Sequence, residues 1–321
     1  MRRIEEVRNI AVIGAGTMGP GMALVCGQYG YSVKLFSRRQ ETLDRARSIM
    51  RTSLGTLSEF GILKQEEIEP ILSRVLSTTS LEEAASDADV ILETVAENRE
   101  IKREIFDKLD KICFPNTIFT SNTSSLNIFE LVPNPRLPNT LIAHWFAPPH
   151  IAPLVEVVRG PRTTDEALLL IIDLLKKVGR TPVRMEKFIP GFIINRIYRA
   201  LGREIFFLLD HGYVTPEQLD LAAKAVLAPR MMILGLVQRY DYTGLDISAK
   251  NLENPDFFDP PIDNRPKSLF QLVEKGHLGV KAGKGFFDYS GKKLEEILKE
   301  RDMNLLRVHK GTEFCLPEKK R

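Results

Sequence analysis

The sequence predicts an α/β fold in which a doubly wound parallel sheet is followed by a mostly α-helical C-terminal domain. In the first half of the chain, short apolar runs alternate with helix-compatible stretches, which is the pattern of strand–helix–strand units. From Phe188 onward the apolar residues recur at helical spacing instead, as Ile197, Leu201, Ile205 and Leu208 do. We therefore expect a sheet first and a helical region after it.

The elements of the first half follow one another in a regular order. An apolar run over residues 10–13 leads through a glycine-rich turn and a helix-compatible stretch to a second apolar run over residues 33–36. A polar helical stretch extends to about residue 72, and ADVILETV and NTIFTSN are typical of buried parallel strands. Between these strands, NREIKREIFDKLDKI predicts a helix with one apolar face. NTLIAHWF and APLVEVV predict further strands, and TDEALLLIIDLLKKVG predicts another helix.

The second half carries signals for helix starts and for one long loop. TPEQLDLAAKAVL begins with Thr215 as N-cap, Pro216 at the first helical position and Gln218 at the third. Residues 254–266 are rich in Pro, Asp and Asn and predict the longest loop of the chain. The charged segment after Ser290 is expected to form one more helix or to fray.

Composition excludes several classes of protein. The chain has 321 residues with a formal net charge of +3, and its basic residues are interleaved with acidic ones, so nucleic acid is not an expected partner. No apolar stretch approaches the roughly 18 residues of a membrane span, and we expect a cytoplasmic protein that does not bind membranes. Cys26, Cys113 and Cys315 match neither a disulfide framework nor a metal site, and we expect reduced thiols.

The first chemical signal is a glycine-rich turn between the first strand and the first helix. Its residues are Gly14, Ala15, Gly16, Thr17, Met18 and Gly19, a G-x-G-x-x-G pattern. Glycines at these positions let the backbone turn tightly and approach a pyrophosphate at a helix N-terminus. The flanking strands and helix are present at the expected distances, so the sequence predicts a Rossmann-type dinucleotide-binding domain.

The end of the second strand indicates which dinucleotide binds. An Asp or Glu at this position would hydrogen-bond the ribose 2′-hydroxyl of NAD, but the chain has Ser37, Arg38 and Arg39. A hydroxyl followed by two guanidinium groups can accept a 2′-phosphate through charge-assisted bonds of about 1.5–3 kcal/mol each. NADP is therefore favoured. NAD is the alternative for two reasons. Arginines at the end of a strand are usually solvated surface residues, and NAD can bind without the acidic residue.

Several further motifs occur in one order along the chain. SNTSSL (121–126), AHWFAPP (143–149), PLVEVV (153–158), PGFIINR (190–196) and GVKAGKGFFDY (279–289) together resemble the L-3-hydroxyacyl-CoA dehydrogenase family over nearly the whole chain. The resemblance implies a helical domain that makes a homodimer. We divide the chain accordingly into a dinucleotide-binding domain of residues 1–187, a helical substrate and dimerisation domain of residues 188–290, and a charged tail of residues 291–321.

The resemblance also implies roles for individual residues. The family's catalytic histidine corresponds to His144 and its partner glutamate to Glu156, whereas Ser124 and Asn195 match the positions that hydrogen-bond the substrate's oxygen-bearing end. Positions that line the family's cofactor pocket correspond to Glu97, Asn98, Lys102 and Asn122. Oxidation of a secondary alcohol needs a base for the hydroxyl proton, and imidazole titrates near neutral pH. Glu156 stands alone in an apolar run, where an unpaired carboxylate would be costly to bury.

Departures from the family pattern bear on the substrate. Ala147 stands where the family commonly has an asparagine, and PPHIAPLVE is closer to relatives that act on small polar hydroxy acids, such as carnitine or L-gulonate dehydrogenases. The expected reaction is the reversible NAD(P)-dependent oxidation of an L-3-hydroxyacyl-CoA to the 3-oxoacyl-CoA. Two alternatives stay open: a dehydrogenase of a small free hydroxy acid, and a nucleotide-binding protein without catalytic activity.

Overall fold

The computed structural model describes residues 3–256 and 258–315. The chain divides into two compact units, one that ends at Asn195 and one that begins at Arg196. The first unit holds the sheet, and the second is helical, which confirms the predicted fold class. The domain limits at residues 187 and 290 stay a prediction.

The first unit is built on one eight-stranded sheet. Its strands are β1 (Asn9–Ile13), β2 (Ser32–Phe36), β3 (Val75–Thr78), β4 (Val90–Glu93), β5 (Ile118–Ser121), β6 (Thr140–Trp145), β7 (Leu154–Arg159) and β8 (Thr181–Met185). Their order in the sheet is β3-β2-β1-β4-β5-β6-β7-β8. All neighbouring strands are parallel except β6 and β7. The loop 146–153 is too short for a parallel crossover, which takes about a dozen residues or more.

The α-helices that accompany these strands in the described part of the first unit are α1 (Gly19–Gln28), α2 (Gln40–Glu59), α3 (Ile68–Ser73), α4 (Leu81–Ala85), α5 (Arg99–Ile112) and α6 (Asp165–Lys177). The apolar face of α5 is buried through Ile105, Phe106 and Leu109, as its spacing predicts. Strand β3 was not predicted. It is an edge strand in which Leu76 is exposed, so it lacks the apolar run that marks the central strands.

The helical elements that follow are α7 (Ile194–Asp210), α8 (Pro216–Ala222), α9 (Ala228–Leu234), α10 (Gln238–Thr243), α11 (Leu245–Leu252), α12 (Lys267–Glu274) and α13 (Leu294–Gly311). The Thr215 hydroxyl caps α8 by accepting a hydrogen bond from the backbone N–H of Gln218, as predicted. Helix α13 occupies most of the charged segment after Ser290. In the described ranges, no helix is long and apolar enough to cross a membrane.

Candidate functional site

Many of the predicted site residues lie after or near the carboxyl ends of neighbouring strands. Strands β1, β2, β4, β5 and β6 run parallel, so their carboxyl ends lie at one edge of the sheet. Strand β1 lies between β2 and β4, where the order of strands reverses. In open α/β sheets the crevice outside such a reversal is the usual position of a ligand.

The glycine-rich turn follows β1 and leads into α1. Gly14 has a φ of 123°, and a Cβ there would lie 2.5 Å from the Thr94 carbonyl oxygen. A Cβ on Gly19 would collide with the carbonyl oxygen of Gly14. By contrast, Gly16 is exposed, and nothing lies within 4 Å of the position of its Cβ. Gly14 and Gly19 close the turn, whereas Gly16 leaves open space before the helix, which fits a dinucleotide pyrophosphate.

Thr17 and Met18 complete this turn. Thr17 is exposed, and Met18 is the N-cap residue of α1 without a side-chain capping hydrogen bond. The orphan N–H groups of the first turn of α1 are therefore not satisfied by that side chain. Helix N-termini with free N–H groups favour anions such as phosphate.

Ser37, Arg38 and Arg39 follow β2 at the same edge of the sheet. Ser37 is half-buried, and its hydroxyl oxygen accepts a hydrogen bond from the backbone N–H of Arg39 at 3.5 Å. Both arginine side chains are exposed. Within the described part of the chain, neither guanidinium forms a hydrogen bond or an ion pair, so both are free to bind an anion.

His144 and Glu156 form a buried pair. They face each other across the antiparallel strands β6 and β7, and Nδ1 of His144 lies 2.8 Å from Oε2 of Glu156. His144 is 5% exposed and Glu156 is fully buried. The sequence-based pairing of these residues is thus consistent with the geometry, because the acid that stood alone in an apolar run has a partner.

Two aromatic rings and the second oxygen of Glu156 fix the pair further. The His144 ring lies 4.6 Å from the ring of Phe146 and 5.2 Å from that of Phe192, measured between centroids. Oε1 of Glu156 accepts hydrogen bonds from the backbone N–H groups of Ile193 and Ile194, each at 2.9 Å. No described group hydrogen-bonds Nε2 of His144, so that nitrogen is free to accept a proton.

Among the described residues, the side chains of Asn195 and Ser124 have no hydrogen-bond partner. Asn195 follows directly on the two backbone groups that bind Glu156, in the first turn of α7. Ser124 is exposed, and its hydroxyl has no hydrogen-bond partner among residues 3–256 and 258–315. Both groups can therefore donate to or accept from a substrate oxygen.

The loop that carries Ser124 is held by Glu97. Oε1 of Glu97 accepts hydrogen bonds from the Thr123 hydroxyl at 2.7 Å, from the Ser124 N–H at 2.9 Å and from the Ser125 N–H at 3.0 Å. Burial alone would raise the pKa of the Glu97 carboxyl, but the Thr123 hydrogen bond, the Lys102 charge and the two backbone donors lower it. Glu97 therefore stays ionised and orders this loop.

Lys102 does not extend into open space. Its side chain is buried, and Nζ lies 2.7 and 3.0 Å from the two carboxylate oxygens of Glu93 and 3.6 Å from Oε2 of Glu97. Glu93 also accepts hydrogen bonds from the Ser121 hydroxyl and the Val95 N–H. Sequence reasoning missed Glu93, although an acid that ends the apolar run ADVILE, like Glu156 within its own apolar run, would be costly to bury without a partner.

Asn98 and Asn122 have structural partners. The side-chain oxygen of Asn98 caps α5 by accepting from the Ile101 N–H at 2.9 Å. The side-chain oxygen of Asn122 accepts from the Trp145 N–H at 2.7 Å, next to His144. Each amide oxygen thus accepts one hydrogen bond, and its second lone pair and the NH₂ group are available to other partners.

A glycine-rich dinucleotide turn and a buried histidine–glutamate pair on the same sheet are typical of an oxidoreductase with an NAD-binding domain. Two family models match the chain: "3-hydroxyacyl-CoA dehydrogenase, NAD binding domain" over residues 9–188 and "3-hydroxyacyl-CoA dehydrogenase, C-terminal domain" over residues 191–289. The protein belongs to the 3-hydroxyacyl-CoA dehydrogenase family, as its motifs predicted.

Individual relatives differ in their substrates. The chain is 32% identical to 5-formyl-3-hydroxy-2-methylpyridine 4-carboxylate 5-dehydrogenase of Mesorhizobium japonicum, over 95% of this chain and 98% of that protein. It is 34% identical to a probable 3-hydroxybutyryl-CoA dehydrogenase of Bacillus subtilis, over 89% of this chain and 99% of the relative. A crystal structure of the pyridine carboxylate dehydrogenase, described as an NAD⁺-dependent dismutase, superposes with a TM-score of 0.84 at 31% identity, and covers 96% and 99% of the two chains.

Proposed function

We propose that the protein catalyses the reversible NAD(P)-dependent oxidation of an L-3-hydroxyacyl-CoA to the 3-oxoacyl-CoA. The observation that carries the proposal is the His144–Glu156 pair. One nitrogen of the imidazole is bound to a buried carboxylate, and the other has no partner in the described chain. An imidazole oriented in this way is suited to remove the proton of a hydroxyl group.

Four residues of the chain have separate roles in the proposed reaction. Nε2 of His144 takes the hydroxyl proton as the carbon–hydrogen bond of the same carbon breaks and the carbonyl forms. Glu156 keeps the other imidazole proton on Nδ1 and stabilises the imidazolium that results. Ser124 and Asn195 hydrogen-bond the substrate's oxygens. A nicotinamide cofactor, held at the glycine-rich turn, would supply the hydride acceptor for this direction and the hydride donor for the reverse one.

The favoured cofactor is NADP. The glycine-rich turn and the first turn of α1 would hold the pyrophosphate, and Ser37, Arg38 and Arg39 would bind a 2′-phosphate. Support comes from the exposure of both arginines and from their lack of an ion-pair partner among the described residues. NAD is the alternative, since the matching domain model is that of an NAD-binding domain.

Parallel fluorescence titrations of the purified protein with NADPH and NADH test this choice. We expect NADPH to bind about tenfold more tightly, a difference of about 1.4 kcal/mol. Arg38→Gln and Arg39→Gln should each weaken NADPH binding and leave NADH binding unchanged. Arg162→Gln is the control, because Arg162 is an exposed arginine beyond the other end of the sheet. Equal affinities for the two cofactors in the wild type would assign the enzyme to NAD.

A second substrate class has its own support. Ala147 lacks the amide of the family's asparagine, and a relative that matches nearly the full chain acts on a pyridine carboxylate that carries a formyl group. The second candidate is therefore a small free acid rather than a CoA ester. The catalytic pair and its proton chemistry are the same in both cases.

Steady-state turnover distinguishes the candidates. The protein is assayed with the tighter-binding cofactor against acetoacetyl-CoA, against free 3-hydroxy acids and against formyl-substituted aromatic carboxylates. Efficient reduction of acetoacetyl-CoA without turnover of the free acids supports the first candidate. Turnover of a free acid without reduction of acetoacetyl-CoA supports the second. Cofactor binding without turnover of any compound in the panel would contradict both and leave a nucleotide-binding protein.

We also propose that the protein is a homodimer, as the family resemblance implies. The helical elements carry large apolar side chains that are exposed in the single chain, among them Leu221, Val226, Ile233 and Val237. Large apolar side chains left exposed in a single chain favour association. Light scattering coupled to size-exclusion chromatography tests the proposal by measuring the mass of the purified protein. A mass of about 36.4 kDa, that of one chain, would contradict it.

A further inference from the structure

One residue next to the catalytic pair has an unusual backbone conformation. Phe192 has a φ of 50° and is the only residue other than glycine with a positive φ in the part of the chain that the structure describes. All the other positive-φ positions are glycines, including Gly191 directly before it. A side chain in the left-handed region costs free energy, and such residues cluster at functional sites.

The conformation of Phe192 places the two following backbone N–H groups on Glu156. Ile193 and Ile194 donate to Oε1 of Glu156, each at 2.9 Å, and the Phe192 N–H donates to the Ile189 carbonyl at 3.0 Å. A left-handed residue turns the chain sharply, so both N–H groups point at the same carboxylate oxygen. Glu156 is thereby fixed from the side opposite to His144.

The Phe192 ring contacts the other member of the pair. It is 1% exposed, and its centroid lies 5.2 Å from that of the His144 imidazole, with 56° between the ring planes. The Phe188 ring packs against Phe192 at 6.1 Å and 76°. A glycine at position 192 would remove the backbone strain and keep the turn, but it would leave one side of the imidazole without this contact.

We propose that Phe192 is a positioning residue for the His144–Glu156 pair, because its left-handed backbone directs two N–H groups to Glu156 while its ring holds the imidazole of His144. The inference rests on the proposed function, in which His144 is the base. It explains why the chain tolerates a strained aromatic residue at a position where glycine would fit the backbone. Catalysis by a base is sensitive to small errors of orientation, and misplacement by about 1 Å can lower a rate by about 100-fold.

The test compares Phe192→Gly and Phe192→Leu with Phe188→Leu in the full-length protein. Phe192→Gly relieves the strain but removes the ring, whereas Phe192→Leu keeps an apolar side chain without the flat aromatic face. Phe188→Leu is the matched control, because Phe188 packs on Phe192 and is not part of the proposed catalytic machinery. Thermal unfolding checks that each variant is folded, and fluorescence titration gives its nicotinamide cofactor affinity.

Two readouts separate positioning from general packing. The first is kcat, which we expect to fall about 10- to 100-fold in Phe192→Gly and less in Phe192→Leu, with cofactor affinity unchanged. The second is the downfield proton resonance of the His144 Nδ1–H in ¹⁵N-histidine-labelled protein, assigned by its loss in His144→Gln. This resonance should broaden or disappear in Phe192→Gly and persist in Phe188→Leu.

Two results would overturn the proposal. One is a wild-type kcat and an unchanged Nδ1–H resonance in both Phe192 variants, and the other is a loss of kcat and of the resonance in Phe188→Leu as large as in Phe192→Gly. The resonance does not depend on turnover. If the wild-type protein converts no compound of the substrate panel, the proposed function fails, while the resonance still reports whether Phe192 holds the pair.

Discussion

Glu156 binds His144 from the directly opposite position of the neighbouring strand, with 2.8 Å between Oε2 and Nδ1. Opposite residues of an antiparallel pair point to the same face of a sheet with their Cβ atoms about 5 Å apart. The register of β6 and β7 therefore brings the two side chains together without any contribution from a loop. A pair built on rigid strands needs little reorganisation when a substrate binds.

Replacement of the imidazole tests its role as base. We expect His144→Gln to lower kcat by about 10²- to 10⁴-fold, because glutamine cannot take up the hydroxyl proton. Cofactor affinity should be unchanged, since the dinucleotide turn lies after β1 and not on β6. Near-normal turnover of the variant with cofactor bound would show that another group is the base.

Replacement of the carboxylate tests the orientation of the base. In Glu156→Gln the amide oxygen can still accept from the Ile193 and Ile194 N–H groups, so the amide NH₂ faces Nδ1 of His144. Nδ1 then has to accept, and the imidazole proton moves to Nε2, which can no longer act as a base. We expect kcat to fall by about 10²- to 10⁴-fold.

The stability of the same variants provides the control. Glu156→Ala leaves His144 and two partly buried backbone N–H groups without their partner, so its unfolding free energy should fall by more than that of Glu156→Gln. Urea unfolding measures both. A Glu156→Gln enzyme with wild-type kcat would contradict the proposed tautomer.

The buried Lys102–Glu93 pair is expected to matter for stability. Removal of one partner, in Lys102→Met or Glu93→Gln, leaves a buried charge poorly compensated and should cost about 3–5 kcal/mol of unfolding free energy. The double variant should cost less than the sum, because neither charge remains. Lys108→Ala is the control, since its pair with Glu104 is exposed and such pairs contribute about 0.3–0.5 kcal/mol. Strictly additive losses would mean that the two charges do not interact.

Glu97 gives a pH dependence of known sign. Its pKa in the folded protein is lowered from the ordinary value of 4.5. Ionisation of the Glu97 carboxyl is therefore more favourable in the folded state than in the unfolded state. This stabilisation is present above pH 4.5 and is lost as the pH falls through the lower folded pKa. The difference in unfolding free energy between wild type and Glu97→Gln should therefore shrink on acidification from pH 7 towards about pH 3. A difference that stays constant over this range would contradict the assignment.

Two glycines of the glycine-rich turn are expected to have different roles, one in cofactor binding and the other in the stability of the fold. Gly16→Ala should leave the unfolding free energy nearly unchanged, because the added Cβ meets no atom within 4 Å, and should weaken dinucleotide binding. Gly14→Ala should destabilise the fold itself, because its φ of 123° and the nearby Thr94 carbonyl oxygen exclude a Cβ. Thermal unfolding and NAD(P)H titration of both variants measure the two effects. Wild-type cofactor affinity in Gly16→Ala would place the pyrophosphate elsewhere.

Sequence reasoning predicted the central strands, the amphipathic face of α5 and the cap of α8, because each depends on local patterns of apolar and capping residues. It missed β3, since an edge strand with an exposed Leu76 carries no apolar run. It predicted a parallel sheet but not the antiparallel pair β6–β7, which follows from the length of one loop. The family resemblance selected His144 and Glu156, whereas their spacing alone also allowed a structural histidine with its hydrogen bonds satisfied.

The sequence by itself determined the fold class, the dinucleotide turn and the chemical types available for catalysis, because these depend on short segments in which spacing sets local geometry. Only the tertiary structure decided which groups are engaged. It buried Lys102 against Glu93 at the end of β4 and placed Phe192 against the imidazole of His144. These contacts join residues from different strands and helices, so no local pattern in the chain could have indicated them.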